Sequence, residues 1–316
     1  MIRKITKDKP LRILGFTDLH LDNNKPCAYW TEKLLIETVC SEKPDLIVFV
    51  GDNVTGGDNR SRSERFAKII TGLETPWCPI LGNHEGDNPF SITRKEMADI
   101  FRSSPTCLLP AETPASGETN YEISLINDEN RIVHKLIFLD SGMIMTEDDR
   151  QKYAPDCTKK EPDDFIKPDQ IKWYLSFANA DDCPSTLFVH VPLSEYKEAV
   201  LSGELLSGAN RESICVCPYN SGLFSAVLAA GKTRNIVCGH DHVNDSHMLY
   251  KGVRLIYNRM SGFSSYNAIS KKVAPRLLQG ASVYTVHHNG SMTFSDIFYE
   301  DMYPGYMPEI YKVIRK

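Results

Sequence analysis

Along the first half of the chain, short apolar runs alternate with polar loops and with segments of helical spacing. Residues 12–16, 46–50 and 77–81 are each five residues long and rich in β-branched or large apolar side chains, as expected of buried strands. Between them, residues 31–40 and 63–70 repeat apolar positions at helical intervals. Strands alternating with helices predict parallel pairing with helices packed on the faces. The polar loops then gather at the carboxyl ends of the strands, where open α/β sheets place their sites. In the middle, residues 120–126 and 132–139 flank the turn-forming residues 127–130 and read as a hairpin. Further strands are predicted at 186–189, 235–238, 254–257, 281–287 and 292–298, the last two joined by a tight turn through Asn289 and Gly290. The later half thus predicts a second, mixed sheet. The expected fold is α/β, with two packed mixed β-sheets (a β-sandwich) flanked by helices. Neither an internal repeat nor a linker rich in Gly, Pro or Ser divides the chain, so residues 1–316 are expected to form one domain.

Composition changes this picture little. In 316 residues, 41% are hydrophobic and 24% charged, ordinary values for a globular protein with a sizeable core. With 36 basic against 41 acidic side chains the formal net charge is −5, so the chain lacks the basic footprint of a nucleic-acid binder. The start of the sequence is too charged for a secretory signal, and no segment has the length of a membrane span. The expectation is a cytoplasmic protein with neither nucleic acid nor membrane among its partners. Nine cysteines at irregular spacings read as free thiols in a reducing compartment. Cys215 and Cys217 are close in sequence, but their spacing suits neither a zinc knuckle nor a redox motif. Residues 145–165 break the pattern, being crowded with charges. Two readings stay open for them: a lid or binding loop, and a solvated excursion.

The chemistry lies where the strands end. Five of the nine histidines fall in short motifs after predicted strands. The motifs are Asp18-Leu19-His20, Gly51-Asp52-Asn53, Gly82-Asn83-His84-Glu85, Val189-His190 and Gly239-His240-Asp241-His242. An Asp-x-His or a single buried His is common by chance. A Gly-Asn-His-Glu string arises by chance on the order of once in a few hundred chains of this length. All five motifs in order, each after an apolar run, point to a metal site.

This set resembles the calcineurin-like metallophosphoesterase superfamily, whose metallo-dependent phosphatase fold matches the predicted one. The resemblance implies two divalent metal ions. One would be held by Asp18, His20, Asp52 and His242, the other by Asp52, Asn83, His190 and His240, with Asp52 bridging. Carboxylate, imidazole and amide ligands suit Mn, Fe, Zn or Co. In such a centre a bridging hydroxide attacks phosphorus in line. His84 has no ligand role in the family pattern; there it faces the leaving group as general acid or as a cation. In many relatives a carboxylate three residues after the bridging Asp orients this histidine. Thr55 stands at that position here, leaving Asp58 and Asp87 as alternative partners. Thr55 also cannot serve as the iron-binding tyrosine of purple acid phosphatases, and His20 replaces the Gly of their Asp-x-Gly motif. A colourless enzyme is therefore expected.

The second half is similar to single-domain fungal and plant phosphatases related to the purple acid phosphatases. The matching stretches are residues 166–173, 190–196, 220–224 and 239–245. The implied activity is that of a phosphomonoesterase, with phosphoproteins among the candidate substrates. Two alternatives stay open: a phosphodiesterase acting on cyclic nucleotides or other diesters, and a non-enzymatic metal-binding scaffold. Asn53, Glu195, Tyr196 and Arg211 are candidate substrate contacts, with a structural role as the competing reading. His134, His247, His287 and His288 are assigned surface or structural roles. Tyr299, Tyr303, Tyr306 and Tyr311 are expected in a tail packed over a sheet.

Overall fold

The computed structural model describes residues 2–6, 9–22, 26–87, 91–178, 180–267 and 269–314. Among these residues, thirteen strands form two mixed sheets. The smaller has the order β13 (Met292–Phe298), β12 (Gly280–Val286), β2 (Leu11–Phe16), β3 (Leu46–Val50), β4 (Trp77–Ile80). β2, β3 and β4 run parallel, while β12 pairs antiparallel with both β2 and β13. The larger sheet has the order β1 (Ile2–Lys4), β5 (Tyr121–Ile126), β6 (Ile132–Phe138), β7 (Ser185–Phe188), β9 (Thr233–Cys238), β11 (Val253–Tyr257), β10 (His247–Tyr250), β8 (Glu204–Ser207). Its centre, β6-β7-β9-β11, is parallel.

Alternation along the strands decides what each face covers. In β6, Leu136 and Phe138 join the core between the sheets, whereas Ile137 joins the outer core. In β9, Val237 points inward and Ile236 and Cys238 outward. The outer face is covered by the helices Pro168–Ala178, Glu195–Ser202 and Leu223–Ala230, which supply Tyr174, Tyr196, Phe224 and Val227 to the same cluster. On the smaller sheet, the helix Ala28–Glu42 buries Thr31, Leu34, Leu35, Thr38 and Val39, one face at helical spacing. It stops where Lys43 turns left-handed at φ 45°. The helix Asn59–Gly72 buries Phe66, Ala67 and Ile70. Arg94–Arg102, which the apolar pattern did not predict, starts at a capping box between Thr93 and Glu96.

Two expectations change in detail. The C-terminal tyrosines belong to short helices (Tyr299–Met302, Pro304–Tyr306, Met307–Ile314) that pack against the Ala28–Glu42 helix as well as the sheet. The Tyr303 hydroxyl meets Thr38 Oγ1 at 3.2 Å, and Tyr306 donates to Glu37. Residues 145–165 contain a helix, Glu147–Tyr153, and close at their base through an antiparallel bridge between Ile144 and Asp163. All nine cysteines are free thiols. Among the described residues no helix is long and apolar enough to cross a membrane.

His134 ties the two sheets together. It is 1% exposed on β6, with Nδ1 2.8 Å from the Gly290 carbonyl and Nε2 3.0 Å from Thr186 Oγ1. Burial lowers its pKa from 6.5 to about 4. The neutral imidazole is thus favoured in the fold, and the stability it contributes is lost as pH falls from about 6.5 towards 4. We expect the wild type to lose about 2 kcal/mol more than His134→Gln between pH 7 and pH 5. Urea unfolding at both pH values checks this; parallel losses would show that His134 titrates normally.

Candidate metal centre

All five motifs leave the carboxyl ends of parallel strands: β2, β3 and β4 of the smaller sheet, β7 and β9 of the larger. The site therefore sits on the seam between the sheets. Backbone hydrogen bonds lace the loops together, from Asp18 N to Gly51 O (3.0 Å), His20 N to Asp52 O (2.9 Å) and Gly239 N to His190 O (3.1 Å). Four site residues adopt positive φ: Asp18 (52°), His20 (44°), Asp52 (51°) and His240 (76°). Such conformations cost roughly 1–3 kcal/mol each and persist where surroundings enforce them. Leu19 and Leu21, buried on either side of His20, offset part of that cost at about 1.5–3 kcal/mol per side chain. Gly51 and Gly82 are required by proximity: a Cβ would come within 2.4 Å of His190 Nδ1 at the first and 2.2 Å of Asp52 Oδ1 at the second.

The side chains converge in two groups. Asp18, His20 and His242 have ligand-type atoms within 4.8 Å of one another, as do Asp52, His190 and His240. His20 Nε2 lies 3.1 Å from His242 Nε2, and His242 Nε2 lies 3.4 Å from Asp18 Oδ1. Asn83 Oδ1 is 3.1 Å from His190 Nε2 and 3.0 Å from His240 Nδ1. Asp52 Oδ2 stands between the groups, 3.2 Å from His190 Nε2 and 3.6 Å from His20 Nε2. Its other oxygen accepts from His84 N at 2.9 Å. All seven expected ligands are thus brought together.

Two observations test whether divalent ions fit this cluster. Asp18 Oδ1 and Asp52 Oδ2 are buried without hydrogen-bond partners, an arrangement that costs free energy unless a cation is the partner. The protonation states of four donors fit as well. Burial alone would raise Asp18, but His242 and His190 pull it down to about 2, and Asp52 is likewise held well below the usual carboxylate range. Burial lowers His20 and His240 to about 4, so both are neutral. His190 differs, because the Asp52 and Asp18 carboxylates outweigh burial and raise it to about 10. Its Nδ1 faces the Val50 carbonyl at 2.7 Å, which turns Nε2 toward Asp52 and Asn83.

Glu85, quoted within its motif but given no role from sequence, supports the Asp52 loop. Fully buried, it accepts from the backbone N–H groups of Gly82, Asp52, Asn53 and Val54. Arg94 braces the same turn, donating to the Gly82 and Glu85 carbonyls and to Asp140. The open partner of His84 is Asp87, whose Oδ2 lies 2.6 Å from His84 Nδ1. That hydrogen bond raises the His84 pKa to about 9, against the effect of burial. Asp58 instead accepts from Ser61 at the start of its helix.

A cavity of about 420 Å³ opens over the cluster and is bordered by His20, Asp52, Asn83, His84, His240 and His242. Sequence gave no role to several further lining residues: Lys159, Asp163, Cys215 and Tyr266. Tyr266 stacks on His242 with ring centroids 4.3 Å apart and donates to Glu212.

None of the four candidate substrate contacts borders this cavity. Tyr196 is fully buried and its hydroxyl donates to the Ile236 carbonyl at 2.8 Å. Glu195 is buried and accepts from Asn220. Arg211 pairs with Asp245. Asn53 is buried and donates to the Ile80 carbonyl at 3.0 Å. The stretches that carry the second-half resemblance are largely scaffold. Gln170 donates to Asn120 and to the Asp140 carbonyl, and Asn244 and Asp245 staple residues 209–212 through their backbone N–H groups.

Two mixed sheets with helices outside, and carboxylates, imidazoles and an amide converging at their seam, define an α/β scaffold with a candidate metal site. Residues 11–244 match the calcineurin-like phosphoesterase family, and the chain belongs to it. Two Arabidopsis thaliana proteins are among its relatives. "Probable inactive purple acid phosphatase 29" is 30% identical over 75% of this chain and 64% of its own length. "Probable inactive purple acid phosphatase 14" is 29% identical over 76% of this chain and 64% of its own length. Phosphatase DCR2 of Saccharomyces cerevisiae is 28% identical over 68% of this chain and 39% of its own length. The chain thus spans less than two thirds of the length of these relatives. A dimetal phosphatase from Danio rerio superposes with a TM-score of 0.60 at 12% identity, covering 90% of this chain and 95% of that one. That likeness concerns the fold alone.

Proposed function

We propose that this protein is a two-metal phosphoesterase acting on phosphate monoesters, phosphoproteins among them. The observation that carries this reading is Asp52 Oδ2, buried without a hydrogen-bond partner between the two groups of donors. Asp18, His20, Asp52 and His242 would hold one divalent ion, and Asp52, Asn83, His190 and His240 the other. Bound there, the ions would supply Lewis acidity and a hydroxide nucleophile at neutral pH. The chain's own residues do the rest. The Val50 carbonyl fixes the tautomer of His190. Glu85 and Arg94 hold the loops that carry Asp52 and Asn83. His84 sits beside His20, with ring centroids 5.4 Å apart. With Nδ1 engaged by Asp87, its Nε2 serves the leaving oxygen as proton donor or positive charge.

The plant relatives' names contain the word inactive. This chain keeps the full donor set together with His84 and its carboxylate, which supports turnover rather than a scaffold role. The monoester preference rests on the likeness of the second half to phosphatases; a diesterase would use the same donors.

The test is to strip the protein with a chelator and titrate back Mn, Co or Zn while following aryl phosphate hydrolysis. Activity should plateau near two metals per chain. Two bound metals without turnover of either monoester or diester would sink the enzymatic reading.

A further inference from the structure

Residues 145–165 place a lysine in the metal cavity. Their base is closed by the Ile144–Asp163 bridge and by a hydrogen bond from Met145 N to the Pro162 carbonyl at 2.9 Å. Met145, Ala154 and Phe165 anchor the loop in a small apolar cluster with Cys217. The loop is therefore packed in place, and its returning end reaches the site through Asp163 and Lys159.

Asp163 is 3% exposed, with Oδ1 3.9 Å from His240 Nε2 and Oδ2 2.7 Å from Lys159 Nζ. It acts as the post that holds Lys159 at the His240 end of the cluster. The Lys159 side chain is 54% exposed and borders the cavity. An ammonium carries three donors, so after Asp163 takes one, others remain for a ligand. Among the described residues lining the cavity, Lys159 is the sole Lys or Arg. His84 stands at the opposite end, beside His20. A phosphoryl group over the donor cluster would thus meet a cationic side chain at each end. Glu161, which also borders the cavity, is exposed at its rim, where solvent and salt screen its charge.

We propose that Lys159 is the phosphate-binding cation of this cavity and that it selects monoesters over diesters, a role that rests on the phosphoesterase reading above. The discrimination follows from charge. A monoester has a second pKa near 6 and is mostly a dianion at neutral pH. A diester carries a single charge, with an esterified oxygen in place of the third anionic one. A fixed ammonium binds that third oxygen through a charge-assisted hydrogen bond and gains less from the diester.

The experiment uses full-length protein reconstituted with Mn, inorganic phosphate as the calorimetric probe, and an aryl phosphate with its bis-aryl diester as kinetic probes. Lys159→Met should keep the wild-type metal content and weaken phosphate binding by about tenfold or more. Its kcat/KM should fall by a similar factor for the monoester, and by about threefold or less for the diester. Lys159→Arg should bind phosphate within about threefold of wild type, because the charge is retained. Unchanged phosphate affinity in Lys159→Met, equal losses for both esters, or loss of metal would each overturn the assignment; the last would mean that Lys159 acts only through Asp163 and His240. If wild-type protein hydrolyses neither ester yet binds phosphate through Lys159, the binding role stands while the enzymatic reading fails.

Discussion

Asp52→Asn should reduce bound metal from two ions to one or fewer per chain and lower aryl phosphate turnover at least about a thousandfold. The substitution is nearly isosteric, so the loss is one of charge rather than shape. Oδ1 can still accept from His84 N, and Glu85 still holds the Asp52 backbone N–H. What disappears is the anionic Oδ2, which faces His190 on one side and His20 on the other. Two divalent ions about 3.5–4 Å apart repel strongly, and a shared carboxylate is the protein's main means of holding them together. An amide oxygen remains a ligand but brings no charge. The measurement is metal analysis of equilibrated protein alongside turnover, with circular dichroism to verify the fold. Two tightly bound ions in Asp52→Asn would remove the carboxylate from its bridging role.

Glu85 and Asp52 illustrate how the centre depends on the fold beneath it. Four backbone N–H groups point at one buried carboxylate, and the Asp52 loop is held in a left-handed turn by that contact. Burial and the nearby Asp52 charge raise the Glu85 pKa to about 7, although the N–H donors favour its ionised form. The strain at Asp18, His20, Asp52 and His240 is stored where two sheets meet, so neither sheet alone can form the site.

This dependence explains what the sequence made legible. The bounds of 46–50 and 292–298 agree to the residue: the first is a buried run closed by Gly51 and Asp52, the second a half-exposed alternating strand that starts just after the tight turn at Asn289 and Gly290. The donors were legible because each follows a buried run directly. By contrast, the edge strand β8 is exposed throughout and shows no alternation, and its neighbour β10 is four residues long; segments this short carry too little pattern to announce themselves. The candidate substrate contacts lie away from the cavity because proximity in sequence is not proximity in space. Tyr196 and Glu195 follow His190 closely, but the helix they begin turns Tyr196 into the outer core and Glu195 onto Asn220. Lys159, Asp163 and Tyr266 reach the cavity from loops whose composition resembles any solvated segment. Asp87 lay between these cases: three residues after His84, it was one of two candidates, and only the turn brings its carboxylate to 2.6 Å.

His84→Ala should separate metal binding from proton transfer. His84 borders the cavity, and its ring stands beside that of His20 with centroids 5.4 Å apart. Its removal should leave two metals per chain and lower kcat by about 10²–10⁴-fold. The loss should grow with the basicity of the leaving group. An aryl oxide departs with little help, whereas an alkoxide needs a proton or a nearby positive charge, so the alkyl phosphate should suffer more. Asp87→Asn should fall between wild type and His84→Ala, at about tenfold, because it weakens the hold on the imidazole without deleting it. Plotting kcat against leaving-group pKa for the three proteins distinguishes the roles. A steeper dependence in both variants, with metal content constant, identifies His84 as the group that meets the leaving oxygen and Asp87 as the residue that aims it. Loss of metal from His84→Ala would instead assign the histidine to the centre itself, and equal slopes in all three proteins would mean that the leaving group departs without its help.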